Sequence, residues 1–127
     1  MKPEERIKEI ETLLGRLKES YPSVTNAFLQ FMSKTHGGPS LNMRERELIE
    51  VALSVAGQCE WCIVHHVKAA VDAGATRDEI MESGFLAVLM HGAPALMYLT
   101  PLMASVDKYL PAGTAKGVTS GPGKQGA

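Results

Sequence analysis

Cys59 and Cys62 stand three residues apart, His66 follows four residues after the second, and Glu47 precedes the first by twelve. These are the residue types from which thiol chemistry is built. A thiol acts as a nucleophile only as the thiolate, and an unperturbed cysteine titrates near ~8.5. Three features of this pattern favour the thiolate. Both cysteines fall at the start of a helix, where the backbone dipole is positive. In a Cys-x-x-Cys pair one sulfur can donate a hydrogen bond to the other. His66 lies one helical turn past Cys62 and can accept its proton, and Glu47 can orient that imidazole as the third group of a triad does. A thiolate that attacks a peroxide becomes a sulfenic acid, which a neighbouring thiol converts to a disulfide. An external reductant then restores the dithiol.

Two helices must position this group. Asn42 and Glu45 form a capping-box pattern that opens a helix running to Ala56 and stopping at Gly57. A second helix runs from about Cys59 to Gly74, whose glycine suits a left-handed C-cap. On a 3.6-residue wheel, Cys59, Cys62, His66, Ala69, Ala70 and Ala73 share one side of that helix. Trp61, His65, Lys68 and Asp72 share another. The first stripe is expected to face the interior, with His65 facing water or a partner subunit and Trp61 buried against a neighbouring subunit. Glu47 shares a face with Val51 and Val55, so it too points inward. The link at Gly57-Gln58 is short, which predicts an antiparallel hairpin. Glu47 lies ~15 Å of helix before the turn and His66 a little less after it, so the two come nearly level.

The rest of the chain reads as helices too. Pro3, Glu4 and Glu5 open an amphipathic helix over residues 3 to 20 with an Ile7, Ile10, Leu13, Leu14, Leu17 stripe. A helix from Pro22 to about Lys34 follows, then a loop at His36-Gly37-Gly38-Pro39-Ser40. Thr76 and Glu79 cap a helix reaching about Met90, and a last helix, Pro94 to Tyr109, is expected to kink at Pro101. Met81, Met90, Met97 and Met103 read as core, and His91 as a cap or core residue. From Pro111 the composition turns to Gly, Pro, Ser and Lys, which predicts a flexible tail over 111–127. The expected organisation is an N-terminal helix (1–20), a helical core (21–110) and that tail. The fold class is all-α, a single-domain bundle of about six helices. Val51 to Val55 and Phe85 to Met90 leave little polar surface on their helices, so one copy cannot cover them and a homo-oligomer is expected.

Composition narrows the partners. With 127 residues, 13 Lys+Arg against 14 Asp+Glu and a net charge of −1, the chain lacks the basic surface of a nucleic-acid binder. The longest purely apolar run, Phe85 to Met90, is far short of the ~20 residues of a spanning helix, so no membrane partner is expected. No secretory signal pattern opens the chain, and its two cysteines sit in one motif instead of a spread-out disulfide framework. A cytoplasmic protein is the expectation.

The pattern Glu47, eleven intervening residues, Cys59-x-x-Cys62, three intervening residues and His66 resembles the signature of the alkylhydroperoxidase AhpD-like branch of the carboxymuconolactone decarboxylase family. The run from His66 through Ala69-Ala70, Gly74, Thr76 and Glu79-Ile80 is similar to the stretch that follows there. The resemblance spans roughly Tyr21 to Leu110. It implies an all-helical fold, trimers or hexamers, and thiol-based reduction of hydrogen peroxide or small organic hydroperoxides. It implies that Cys62 attacks, Cys59 resolves, and His66 with Glu47 moves protons. No metal or organic cofactor is implied, only a thiol reductant such as a thioredoxin-like or lipoyl protein. The alkylhydroperoxidase itself has a His just before the second Cys, where this chain has Trp61, and it is longer, with two related helical halves. The decarboxylases of the family usually lack the cysteine pair.

Other readings of the same residues stay open. The cysteines could pack as small hydrophobes. Cys59, Cys62 and His66 could offer three metal ligands, with His36 or His91 as a fourth, although a structural zinc usually draws its second ligand pair from a separate segment. His66 and Glu47 could serve as acid and base in a lyase or isomerase without the thiols. The chain could also be a non-enzymatic oligomeric module with a redox-sensing thiol pair.

Overall fold

The structure, a computed structural model, describes residues 1–111; the tail expected beyond Pro111 lies outside them. The described residues hold helices and no strand: α1 (Pro3–Ser20), α2 (Pro22–His36), α3 (Met43–Ala56), α4 (Glu60–Asp72), α5 (Arg77–His91), α6 (Ala93–Met97) and α7 (Leu99–Tyr109). Pro3 starts α1 and Pro22 starts α2, each where a missing N–H costs nothing. α2 runs two residues past the expected Lys34, so His36 is its last residue and not part of the loop.

Both capping boxes form. The Asn42 side chain accepts from the Glu45 N–H at 2.8 Å and the Glu45 carboxylate accepts from the Asn42 N–H at 2.9 Å. Thr76 and Glu79 do the same at 3.1 and 3.0 Å. α4 ends in a Schellman turn at Gly74, φ 94°, with the Gly74 N–H on the Val71 carbonyl and the Ala75 N–H on that of Ala70. α3 stops at Gly57, as expected. Gly57 keeps a right-handed backbone, and the left-handed residue is Gln58, φ 56°.

The core gathers Val51 and Val55 from α3, Ile63, Val67 and Ala70 from α4, Ile80 and Ala87 from α5, and Leu99, Leu102 and Val106 from α7. α3 lies between α4 and α5, and α4 also meets α7 and α1. Each fully buried Val or Ile contributes about 1.5–3 kcal/mol relative to exposure. Gly84 lets α5 approach α7 closely: a Cβ there would sit 2.5 Å from Leu102 Cδ2 and 2.9 Å from Leu99 Cδ2.

The expected sixth helix is two segments. The break falls at Tyr98, not at Pro101, because restarting at Leu99 places Pro101 in the first turn, where no intrahelical N–H is needed. Of the methionines read as core, Met81 packs against it while Met90, Met97 and Met103 are exposed. Val24, Phe28 and Phe31 of α2 and Phe85, Leu86 and Leu89 of α5 are exposed as well. No helix among the described residues is long and apolar enough to cross a membrane.

Candidate active site

Cys59 is the N-cap of α4, and its sulfur accepts a hydrogen bond from the Cys62 N–H at 3.1 Å. The left-handed Gln58 turns the chain out of α3 immediately before this cap. Cys62 therefore sits in the first turn, where backbone N–H groups and the helix dipole favour negative charge on sulfur. The two sulfurs are joined as a disulfide, with Cα atoms 5.3 Å apart.

His66, one turn on, reaches across to α3. Its Nδ1 lies 2.8 Å from Glu47 Oε1 and 3.3 Å from Glu50 Oε1. A carboxylate can only accept, so Nδ1 carries the proton, and Nε2 is the ring nitrogen left for chemistry. Glu47 is buried beside Val51 and Val55, as its face of α3 predicts. Its bond to His66 shows the two helices to be level at these residues.

Glu50, Leu53, Ser54, Gly57, Cys59, Cys62 and His66 line a pocket of about 250 Å³. The expectation that the cysteines and His66 face the interior needs correction. The buried stripe of α4 is Ile63, Val64, Val67 and Ala70, and the site residues lie one step round the helix, half-buried at the rim of this pocket. The physical reason is that α4 packs mainly against α3 and α7, so its buried face is set by those neighbours.

Sequence reasoning missed Glu50, and it named His36 only as a possible fourth ligand beside the cysteines. Glu50 follows Glu47 by three residues, so it shares that helix face, which is a signal the sequence carried. His36 carried none. Its Nε2 reaches Glu50 Oε2 at 2.7 Å only because α2 ends against α3.

Residues 22–104 match the model of the Carboxymuconolactone decarboxylase family. The chain belongs to the carboxymuconolactone decarboxylase family. Within it, the chain is 34% identical over 95 residues, 75% of this chain, to an uncharacterised protein of the cox locus of Paracoccus denitrificans, and covers 86% of that protein. A family protein from Legionella pneumophila, solved in its apo form, superposes with a TM-score of 0.80 at 31% identity, covering 84% of this chain and 96% of that one. A more distant relative is the alkyl hydroperoxide reductase AhpD of Mycobacteroides abscessus, 28% identical over 67 residues, or 53% of this chain and 38% of that protein. A Thermotoga maritima family protein described as possibly involved in antioxidative response shares the fold, with a TM-score of 0.74 at 20% identity over 82% of this chain and 88% of that one.

The neighbouring side chains have other partners. Trp61, expected to be buried against a neighbouring subunit, is 46% exposed in the single chain. Its Nε1 donates to Glu9 Oε1 at 2.8 Å and the Arg6 guanidinium stands 5.3 Å from its ring, so the indole ties α4 to α1. That hydrogen bond, then Arg6, holds the Glu9 carboxyl below its ordinary value. His65 lines a groove with Ile7, Ile10 and Leu14 of α1, and its ring meets that of His66 edge-on at 4.8 Å. Partial burial in that groove, then the His66 ring, lowers its pKa from 6.5, against a weaker opposite pull from Glu47 and Glu50.

Proposed function

We propose that the chain is a thiol-dependent oxidoreductase that reduces hydrogen peroxide or small organic hydroperoxides. The observation that carries the reading is the bonded pair Cys59–Cys62 on a pocket it shares with His66, whose Nδ1 is held by Glu47. The distant relationship to an alkyl hydroperoxide reductase supports it.

In the reduced protein, Cys62 gives its proton to His66 and its thiolate attacks the terminal peroxide oxygen. The S–O bond forms, the O–O bond breaks, and the leaving alkoxide takes the proton from His66 and departs as alcohol or water. Cys62 is then a sulfenic acid. The Cys59 thiolate attacks its sulfur, hydroxide leaves as water with a proton from the relay, and the disulfide forms. A dithiol partner, thioredoxin-like or lipoyl, supplies two electrons and two protons to reopen it by exchange. Glu47 fixes the imidazole and balances the charge it gains during transfer. The cycle needs no metal or organic cofactor. The exposed apolar side chains of α2 and those of α5 support a homo-oligomer, trimer or hexamer, and the chemistry suits a reducing compartment such as the cytoplasm.

Stopped-flow mixing of the reduced protein with hydrogen peroxide and with an organic hydroperoxide tests the reading, following Trp61 emission and counting thiols. Loss of both thiols far faster than in free cysteine, abolished by Cys62→Ser, is the expected result. Thiol loss no faster than free cysteine rejects it. Turnover of a lactone that survives Cys59→Ser and Cys62→Ser but not His66→Ala would instead make His66 and Glu47 the acid and base of a lyase.

A further inference from the structure

On the α3 side of His66, the structure brings together a second set of groups that the thiol cycle does not use. His36 at the end of α2, and Glu47 and Glu50 on α3, each offer a ligand atom, and these atoms lie within 4.8 Å of one another. Glu50 joins the parts, with Oε2 2.7 Å from His36 Nε2 and Oε1 3.3 Å from His66 Nδ1.

The charge in this cluster is unbalanced. Two carboxylates converge on the one N–H of His66 Nδ1, which can satisfy only one of them. Glu47 takes that bond, and Glu50 Oε1 is left buried with no hydrogen-bond partner. The side chains of Glu47 and Glu50 are 11% and 27% exposed, so water screens their repulsion poorly. Among the described residues no lysine or arginine forms an ion pair with either of them; their side-chain partners are the two histidines. A buried carboxylate oxygen without a hydrogen-bond partner is costly, and a cation at the centre of the cluster would supply what is missing.

We propose that His36, Glu47 and Glu50 bind a divalent first-row transition-metal cation, with His66 beside them. One imidazole and two carboxylates form a nitrogen and oxygen donor set of the kind that takes Zn²⁺, Mn²⁺ or Fe²⁺. Glu50 also lines the pocket beside the cysteines, which gives an ion a route in from solvent. This set shares none of the sulfur ligands that the sequence suggests for a metal, and the inference does not rest on the peroxide reading.

The test is calorimetric titration of the metal-stripped, disulfide-bonded chain with Zn²⁺ and separately with Mn²⁺, with loss of the free Mn²⁺ resonance signal as a second readout. The oxidised state keeps the thiols out of the result. One ion per chain is expected, with affinity reduced at least tenfold by Glu50→Gln and by His36→Gln. Glu50→Gln is nearly isosteric, and its circular dichroism and melting curve report whether it folds. Binding that survives both substitutions overturns the proposal. So does an absence of binding at millimolar ion, including the case in which Glu50→Gln then raises the melting temperature, since the two carboxylates would be sharing a proton instead.

Discussion

His66 Nδ1 and Glu47 Oε1 meet at 2.8 Å across the α3–α4 hairpin, nineteen residues apart in the chain. The bond leaves one specific ring nitrogen for the pocket and fixes which way the imidazole faces. General acid–base help of this kind is worth roughly 10²–10⁴-fold in rate. His66→Ala is expected to slow thiol oxidation by peroxide by about that factor. Glu47→Gln, which keeps the shape and removes the charge, should slow it less. The pH profile of the single-turnover rate separates the two roles, since a merely structural substitution would lower the rate without moving the profile.

Gln58 holds φ 56° at the entry to the site. A side chain in that conformation costs about 1–2 kcal/mol that glycine avoids, partly offset by the extra freedom glycine gains in the unfolded chain. Gln58→Gly should therefore raise stability by roughly 0.5–1 kcal/mol. Denaturant unfolding would read this as a higher midpoint at constant slope; a lower midpoint would show that the Gln58 side chain makes a contact worth more than the strain.

The Thr76 hydroxyl accepts the Glu79 N–H at 3.1 Å at the start of α5. Thr76→Ala removes that acceptor and should cost about 1 kcal/mol. For a domain of this size the melting temperature falls by several degrees. Because the cap lies outside the pocket, the rate with peroxide should be unchanged at temperatures well below the melt.

His65 has its pKa lowered from 6.5 by partial burial first and the His66 ring second. The unfolded chain therefore binds the proton more readily than the folded one. This stability is fully present above pH ~6.5 and is lost as pH falls from there through the folded-state value. His65→Asn should flatten the acid side of the stability profile between pH ~6.5 and 5. Melting curves of the two proteins across that range would converge at high pH after allowing for a constant offset; parallel curves throughout would remove His65 as the source.

Helix positions follow from local signals. Pro3 and Pro22 start helices, Asn42–Glu45 and Thr76–Glu79 cap them, and Gly74 ends one, each through bonds within a few residues of sequence. The pairing of Glu47 with His66 was legible for the same reason: a short turn and a fixed rise per residue put them level. Which way a face points is another matter. The wheel grouped Cys59, Cys62 and His66 correctly, but the direction of that group depended on how α3, α7 and α1 pack around α4. Residues at helical spacing share a face; only neighbours decide whether it is core or pocket rim.

The sequence by itself determined the helices, their caps, the hairpin and the Cys59, Cys62, His66, Glu47 set, because every one of these rests on contacts within one helix or one short turn. Tertiary structure alone decided that Trp61 fastens to Glu9 on α1 and that His36 reaches Glu50. The Trp61 and His36 contacts join residues on different helices whose separation depends on how those helices pack. No periodicity along one chain segment encodes such distances.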